Sequence, residues 1–425
     1  MAISKIVYKE SANATPVTWM DATSATAGAA DITAPKTAML ADGVMTTGTG
    51  SGGGGITPVP AKDVNFIDYD GTIVYSYTKA EFALLDALPA NPSHDGLTAQ
   101  GWNWTKNEIT TQLTAMPDQP VWVGQMYVTS SGKTEIDIEL KDASLLSPYL
   151  KFAVNGTAVV DWGDGSGTDT VTGTSLISSK YTPHTYAATG NYTISISVTS
   201  GSFTFYDQYI LSHTNSTSDN SRRYNSSIIA VRLGTGIATI GHYAFCYCSS
   251  MQSVTIPSSV TSIGNYVFRY CYTLQSVAIP SNVTSVGNSA FDYCYTLQSV
   301  AIPSNVTSVG NYMFEHCSSM QSVTIPSSVT SIGNSAFTAC YSMQSVTIPD
   351  SVTSIGTSAF STCSSLYKLT FKSTTPPTVA NSNAFSSLPT DCIIYVPYSA
   401  DHSVLAEYQA ATNYPSSSTY TYVEE

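Results

Sequence analysis

Charge is what this sequence has least of. Asp, Glu, Lys and Arg make up 11% of its 425 residues, against roughly 25% in an ordinary soluble domain. What charge there is leans acidic, with 16 basic against 29 acidic side chains and a formal net charge of −13. Such a chain has no basic face to offer a phosphate backbone, which argues against a nucleic-acid partner. Long apolar runs are also missing. No stretch reaches the ~18 residues of a membrane-spanning helix, so no membrane insertion is expected. The N-terminus, MAISKIVYKESANATPV, has no apolar core after its first lysine. No secretory leader is therefore expected, and no sorting tail follows the final TYVEE. The six histidines stand in no recognisable Ser/His/Asp or Cys/His spacing, which leaves nucleophilic hydrolysis unsupported. Against these absences, 42% of residues are hydrophobic, too many for a disordered chain. The length allows about two to four domains. The surface must be built from Ser, Thr, Asn and Tyr, and there are 28 tyrosines.

Self-comparison then finds a repeat. Phe245, Phe268, Phe291, Phe314, Phe337 and Phe360 recur every 23 residues without a slip. Cys248, Cys271, Cys294, Cys317, Cys340 and Cys363 keep the same step, as do Met251, Leu274, Leu297, Met320, Met343 and Leu366. The stretch CYTLQSVAIPSNVTSVGN occurs twice verbatim, at 271–288 and 294–311. One unit offers about six core side chains, or roughly 9–18 kcal/mol of burial. Ordering its 23 backbone residues costs roughly 1–2 kcal/mol apiece. A lone unit therefore loses, whereas stacked units share a core, and the period predicts a solenoid. Within a unit, LQSVAI places Leu274, Val277 and Ile279 inward and Ser276 and Ala278 outward, one short parallel strand per coil. Pro280 ends that strand, Gly287 suits a tight turn, and N-x-x-F-x-x-C forms a short helical turn. The six equally spaced cysteines read as buried thiols on neighbouring coils. A metal site would need Cys-x-x-Cys clustering, which only Cys246 and Cys248 approach.

The unit resembles the BspA-type leucine-rich repeat, which joins "IGxxAFxxCxxL" to "xxVxIP". Ile332, Gly333, Ala336, Phe337, Cys340 and Met343 carry the likeness, which spans roughly 228–372. The resemblance implies a non-catalytic recognition solenoid of the kind found on surface adhesins. Comparing the units with one another adds a candidate surface. The strand residues hardly change, whereas the loop before the strand varies: HYAFCYCSS, NYVFRYCYT, NSAFDYCYT, NYMFEHCSS, NSAFTACYS and TSAFSTCSS. Its varying positions carry Tyr243, Tyr247, Tyr266, Arg269, Tyr270, Tyr272, Asp292, Tyr293, Tyr295, Tyr312, Glu315, His316 and Tyr341. Amphipathic rings beside adaptable polar groups are the composition of a paratope, so this rim is the candidate binding site. Drift at exposed, unconstrained positions is the alternative, although drift has no reason to favour tyrosine.

The rest of the chain reads as smaller parts. Residues 1–50 form an N-terminal segment, in which Lys36, Ala38, Gly43, Gly48 and Thr49 make a "KxAxxxGxxxxGT" pattern. That pattern resembles an element of tail-associated proteins of phages infecting Gram-positive bacteria. A Gly-rich linker follows at 51–60. Residues 61–121 read as a small α+β module with strands at Val64–Ile67 and Thr72–Tyr77 and helices over Lys79–Leu88 and near Lys106–Ala115. Residues 122–205 read as a β-sandwich. Trp162-Gly163-Asp164-Gly165 with His184, Tyr186, Gly190 and Tyr192 resembles the PKD-type immunoglobulin-like domain, although that family's usual FGDG is WGDG here. Residues 206–227 read as a linker or N-cap, and 373–425, with a strand at Cys392–Val396 and a helix over Ser399–Ala411, as the cap that an open solenoid end requires.

Three constellations could carry chemistry. Asp68-Tyr69-Asp70-Gly71-Thr72 matches a DxDGT phosphatase signature, but its surroundings lack a doubly wound sheet, so an Asp-Gly turn is the reading preferred. Asp161, Asp164 and Asp169 could gather Ca²⁺, but EF-hand spacing is absent. Trp102 and Trp104 could stack on a sugar, or sit in the core of a small module. Neither a catalytic residue, a metal ligand nor a cofactor is expected. The fold expected is multidomain and mostly β: parts strung in series, ending in a capped leucine-rich repeat solenoid of 23-residue units. The function expected is recognition without catalysis. One version is a phage tail-associated receptor-binding protein, located on the virion and held to other tail proteins by its N-terminal segment. The alternative is a bacterial cell-surface adhesin. In either case the partner is a bacterial surface receptor, protein or glycan.

Overall fold

In a computed structural model, residues 62–115, 120–206, 209–212 and 224–425 are described, together with the backbone of four short strands between residues 5 and 48. Those four form a unit of their own, Met1–Ala61. Strand β1 (Lys5–Tyr8) pairs antiparallel with β2 (Val17–Asp21), and β3 (Lys36–Met39) with β4 (Met45–Gly48). Gly43, Thr49 and the side chains of the tail-protein pattern lie outside the described residues, as do the whole 51–60 linker and most of 206–227.

The second unit is Lys62–Glu425. It opens with β5 (Val64–Ile67), β6 (Ile73–Tyr77), α1 (Lys79–Ala83), β7 (Leu97–Trp102), α2 (Lys106–Ala115) and β8 (Val121–Thr129). The sheet order is β6-β5-β8-β7, with β8 parallel to β5 and antiparallel to β7. Two expectations shift here. Residues 122–129, placed at the start of the sandwich, belong to an inner strand of this module, and Val121 and Val123 share a core with Val64, Phe66, Phe82 and Trp102. Helix α1 begins at a capping box, Thr78 with Glu81, but stops short of Leu88. Leu85 and Leu88 leave helical geometry to pack against that same core.

Next come β9 (Thr134–Leu140), β10 (Tyr149–Asp161), β11 (Thr168–Pro183), β12 (Gly190–Thr204), β13 (Leu211–Ser212) and β14 (Ile228–Arg232). Strands β9 to β12 are antiparallel and lie in one sheet, order β11-β10-β12-β9, and β9 then pairs antiparallel with β14. Strand β14 is the first rung of the solenoid and pairs parallel with Ser253–Thr255. Arg232 on β14 locks the junction, reaching Glu135 at 3.0 Å and Asp137 at 2.5 and 2.8 Å.

Each coil of the solenoid contributes three backbone ladders. The first is the expected strand, at Ser299–Ala301, Ser322–Thr324, Ser345–Ile348 and Lys368–Phe371. The second is a two-residue strand, at Ser262–Ile263, Ser285–Val286, Ser308–Val309 and Ser331–Ile332. The third lies along the phenylalanine turns, where Phe268 N–H donates to Ala290 O at 2.8 Å and Phe291 N–H to Met313 O at 2.9 Å. Inside, Phe245, Phe268, Phe291, Phe314, Phe337, Phe360 and Phe385 stack at 5.2–5.8 Å. All eight cysteines are free and buried. The thiol of Cys271 donates to Phe245 O, that of Cys294 to Phe268 O and that of Cys317 to Phe291 O, at 3.1–3.2 Å. Burial pushes their thiols far above the ordinary value.

The C-terminal segment caps the stack. Ile393–Val396 and Thr421–Glu424 add two parallel rungs beyond Lys368–Phe371. Helix α3 (Ser403–Ala410) places Tyr408 against Phe371 at 5.1 Å. At the other end Phe203 and Phe205 extend the phenylalanine stack into the antiparallel sheet, with Phe205 5.6 Å from Phe245.

Within Lys62–Glu425 the parts are therefore packed together and not strung in series. One core runs unbroken from Ile136 through the solenoid to Tyr408. The α+β module lies on the solenoid's strand face. Asn103 donates to Ile279 O at 3.1 Å, Trp122 Nε1 to Ser322 Oγ at 2.7 Å, and Gln100 accepts from Ser258 N–H at 2.8 Å. Ser276 and Ala278, which point outward from the coil as expected, are buried beneath it, together with Ala301, Ser322 and Thr324.

Candidate functional site

The loop before each strand turns through left-handed backbone twice. Tyr243, Tyr247, Tyr266, Tyr270, Ser289, Tyr293, Tyr312, His316, Ser335 and Ala339 all have φ between 51° and 64°. The conformation aims each N–H along the solenoid axis at the next coil: Tyr247 to Arg269 O, Tyr270 to Asp292 O, Tyr293 to Glu315 O and His316 to Thr338 O, at 2.8–2.9 Å. The axial bond explains the backbone. It does not explain the side chains, because Gly or Asn reaches this region more cheaply.

What the side chains build is a set of ring columns. Tyr247, Tyr270, Tyr293 and His316 follow one another at 4.4, 4.9 and 4.2 Å. Tyr243 stacks on Tyr266 at 4.7 Å and Tyr272 on Tyr295 at 5.2 Å. Tyr243, Tyr272, Tyr295, Tyr312 and Tyr341 are exposed, the last at 47%. Tyr247, Tyr266, Arg269, Tyr270, Tyr293, Glu315 and His316 are half-buried. Partial burial raises the phenols of Tyr272, Tyr293 and Tyr295, so these rings stay protonated and their hydroxyls can both donate and accept hydrogen bonds.

One residue assigned to the exposed rim is not on it. Asp292 is 1% exposed, because its coil turns the short carboxylate under the ridge to meet Arg269, whose Nε donates to Asp292 Oδ2 at 2.7 Å. The Arg269 guanidinium in turn lies 4.6 Å from the Tyr270 ring and 5.5 Å from that of Tyr266. Beside this pair stand Glu315 and His316, whose ligand atoms, with that of Asp292, lie within 4.8 Å of one another. Burial pushes the Asp292 carboxyl up to about 6, against the pull of Arg269. Burial and the neighbouring Asp292 push Glu315 up to about 7, while burial lowers His316. Asp292 Oδ1 and His316 Nδ1 are buried without a hydrogen-bond partner.

One residue belongs with the ridge that the loop comparison does not reach. Tyr209 lies 6.4 Å from Tyr243 and 6.0 Å from Tyr247, extending the columns toward the antiparallel sheet. A further tyrosine, Tyr367, is 54% exposed and stands where earlier coils carry Gln275, Gln298, Gln321 and Gln344.

The other constellations are tied up locally. Asp68 meets His94 at 2.6 Å, and Asp70 accepts from Thr72 N–H at 2.9 Å within the β5–β6 turn. Asp164 accepts from Ser166 and meets His184 at 2.8 Å, which holds its carboxyl down at about 2. Asp161 accepts from Gly163 N–H and Asp169 from Trp162 Nε1. Trp102 and Trp104 are buried in the module core and offer no sugar platform.

Comparison with known proteins adds a family likeness. Residues 193–298, 215–344 and 284–399 match the BspA type leucine rich repeat region, in six copies. The match begins inside β12 and gives no support to the PKD-type likeness of residues 122–205. Among solved structures, a leucine rich cell surface protein of Faecalibacterium prausnitzii is 30% identical, over 42% of this chain and 57% of that one, with a TM-score of 0.35. The T. pallidum leucine rich repeat protein is 24% identical, over 33% and 66%, at 0.31. A leucine-rich repeat protein of Bacteroides ovatus is 22% identical, over 40% and 56%, at 0.30. The chain thus spans less than two thirds of each of these proteins. A search of curated proteins finds no match. Residues 193–399 are thus similar to the BspA-type leucine-rich repeat region, and the tyrosine ridge is an edge of the matched stretch.

Proposed function

We propose that the chain is a recognition protein without catalytic activity, acting at a bacterial cell surface, and that it holds its partner on the tyrosine ridge. The observation that carries this reading is the contrast between the solenoid's two surfaces. Between Ser276 and Thr324 the strand face is covered by the module. The ridge presents five exposed tyrosines backed by stacked rings that lose little side-chain freedom on binding. The left-handed turns hold Tyr247, Tyr270 and Tyr293 of the stacked column in place at a backbone cost of about 1–2 kcal/mol each, a cost the axial bonds to the next coil offset. The BspA-type repeat supports a surface location. The polar, hydroxyl-rich ridge suits a surface glycan or a polar protein loop.

The test uses the full chain and a variant with Tyr270, Tyr272, Tyr293 and Tyr295 changed to alanine. Both are applied to immobilised bacterial cells, cell-wall glycans and host matrix proteins. The proposal expects the variant to keep a cooperative melt and lose binding at least tenfold on whichever surface the parent holds. Equal binding by both proteins would refute it. A tail-associated position on a phage particle, read from Lys36 to Thr49, is the second reading. It expects the chain in the peptide digest of purified virions from the source culture.

A further inference from the structure

The ridge covers a cluster that stacking does not need. Columns of equivalent residues normally repeat or drift between coils, yet here Cys246, Arg269, Asp292, Glu315, Thr338 and Ser361 occupy one column. Its two carboxylates sit on neighbouring coils, and His316 follows directly after the second. Asp292 and Glu315 repel one another, and only Arg269 opposes that repulsion. Arg269 bonds Oδ2 alone, leaving Oδ1 of the fully buried Asp292 without a partner. The buried Nδ1 of His316 also lacks one. Two orphaned acceptor-capable atoms in one buried cluster cost free energy unless something polar sits between them.

We propose that Asp292, Glu315 and His316 form a binding site for a single divalent transition cation, with Zn²⁺ as the best chemical fit. Two carboxylate oxygens and one imidazole nitrogen are a donor set that such ions take, and Ca²⁺ or Mg²⁺ would prefer oxygens alone. Three protein donors leave a coordination position open. The donor atoms now span 4.8 Å, wider than the roughly 3.4 Å that ~2.1 Å metal–ligand bonds impose in a tetrahedron. The half-exposed Glu315 and His316 side chains can close that difference. Among the described residues no other group of three His, Cys, Asp or Glu side chains comes together in this way. His94, His184 and His402 each meet a single carboxylate.

The test titrates the chelator-treated full chain with Zn²⁺ by calorimetry and with Co²⁺ by visible absorption. Two variants borrow the next coil's residues: Glu315→Thr, as at Thr338, and His316→Ala, as at Ala339. Both columns already tolerate those side chains, so the variants should fold. His402→Ala is the control. The parent and the control should bind one ion per chain, with cobalt bands in the visible. Each variant should lose affinity by at least the roughly 10–100-fold cost of an outer-shell substitution. No binding by the parent, equal affinity in Glu315→Thr and His316→Ala to that of the parent, or loss confined to His402→Ala would each overturn the assignment.

Discussion

Left-handed backbone is easy for glycine and costly for any residue with a Cβ. This chain nevertheless spends it on tyrosine, histidine and serine at equivalent places in successive coils. Where the side chain contributes to the ridge, replacing it with glycine trades stacking for relief of strain. Where it does not, only the relief remains. Ser335, at φ 51°, is such a place, and Ser335→Gly should raise stability by about 0.5–1 kcal/mol in urea unfolding. A loss of that size would mean that the left-handed turn carries no strain. The cluster beneath the ridge gives a second test. Folding raises the Asp292 carboxyl to about 6 and that of Glu315 to about 7, so the folded chain holds more protons than the unfolded one at mildly acid pH. Their contribution therefore favours folding below pH ~4 and is lost as pH rises through about 6 to 7. Asp164, held at about 2, works in the opposite direction and only below about pH 4. Melting temperatures at about pH 5 and about pH 8 should differ less in Glu315→Thr than in the parent. An unchanged difference would contradict the assignment of burial as the cause.

At the scale of elements, the coil was legible and its covering was not. The 23-residue step places phenylalanine, cysteine and leucine or methionine in columns because stacked coils repeat their environment, and the structure stacks them as that repetition requires. Alternation says which side of a strand a residue takes, here outward for Ser276 and Ala278, and says nothing of what lies beyond it. A clue was nevertheless there. Ser276, Ala278, Ser299, Ala301, Ser322 and Thr324 are all small, and small side chains let a second sheet approach closely. The contact itself joins residues some 200 positions apart, such as Trp122 and Ser322, and no local pattern encodes such a pairing. Gly124 marks a close approach. A Cβ there would stand 2.6 Å from Ala278 Cβ and 3.0 Å from its Cα. Gly124→Ala should therefore cost about 1–3 kcal/mol, the usual range for overpacking, with the solenoid's own circular dichroism retained. A neutral result would show that the module does not rest on this face. The Asp292 error has a related origin: a variable column in sequence marks a variable environment, and that environment can be buried under its neighbours.

For the whole molecule, covering one face decides which other surface can work. The antiparallel sheet closes the solenoid's first coil through β14, the C-terminal rungs and α3 close its last, and the module closes the strand side between Ser276 and Thr324. The tyrosine ridge stays open along several coils. Hydroxyl-radical footprinting of the full chain, read by mass spectrometry, tests this arrangement most directly. Tyr272, Tyr295, Tyr312 and Tyr341, all exposed, should be oxidised readily. Met126, the intrinsically more reactive side chain but buried on an inner strand of the module, should be protected until the chain unfolds. Rapid oxidation of Met126 in the native protein, with those four tyrosines silent, would mean that the strand side is open and the ridge closed, and would contradict a recognition surface on the ridge.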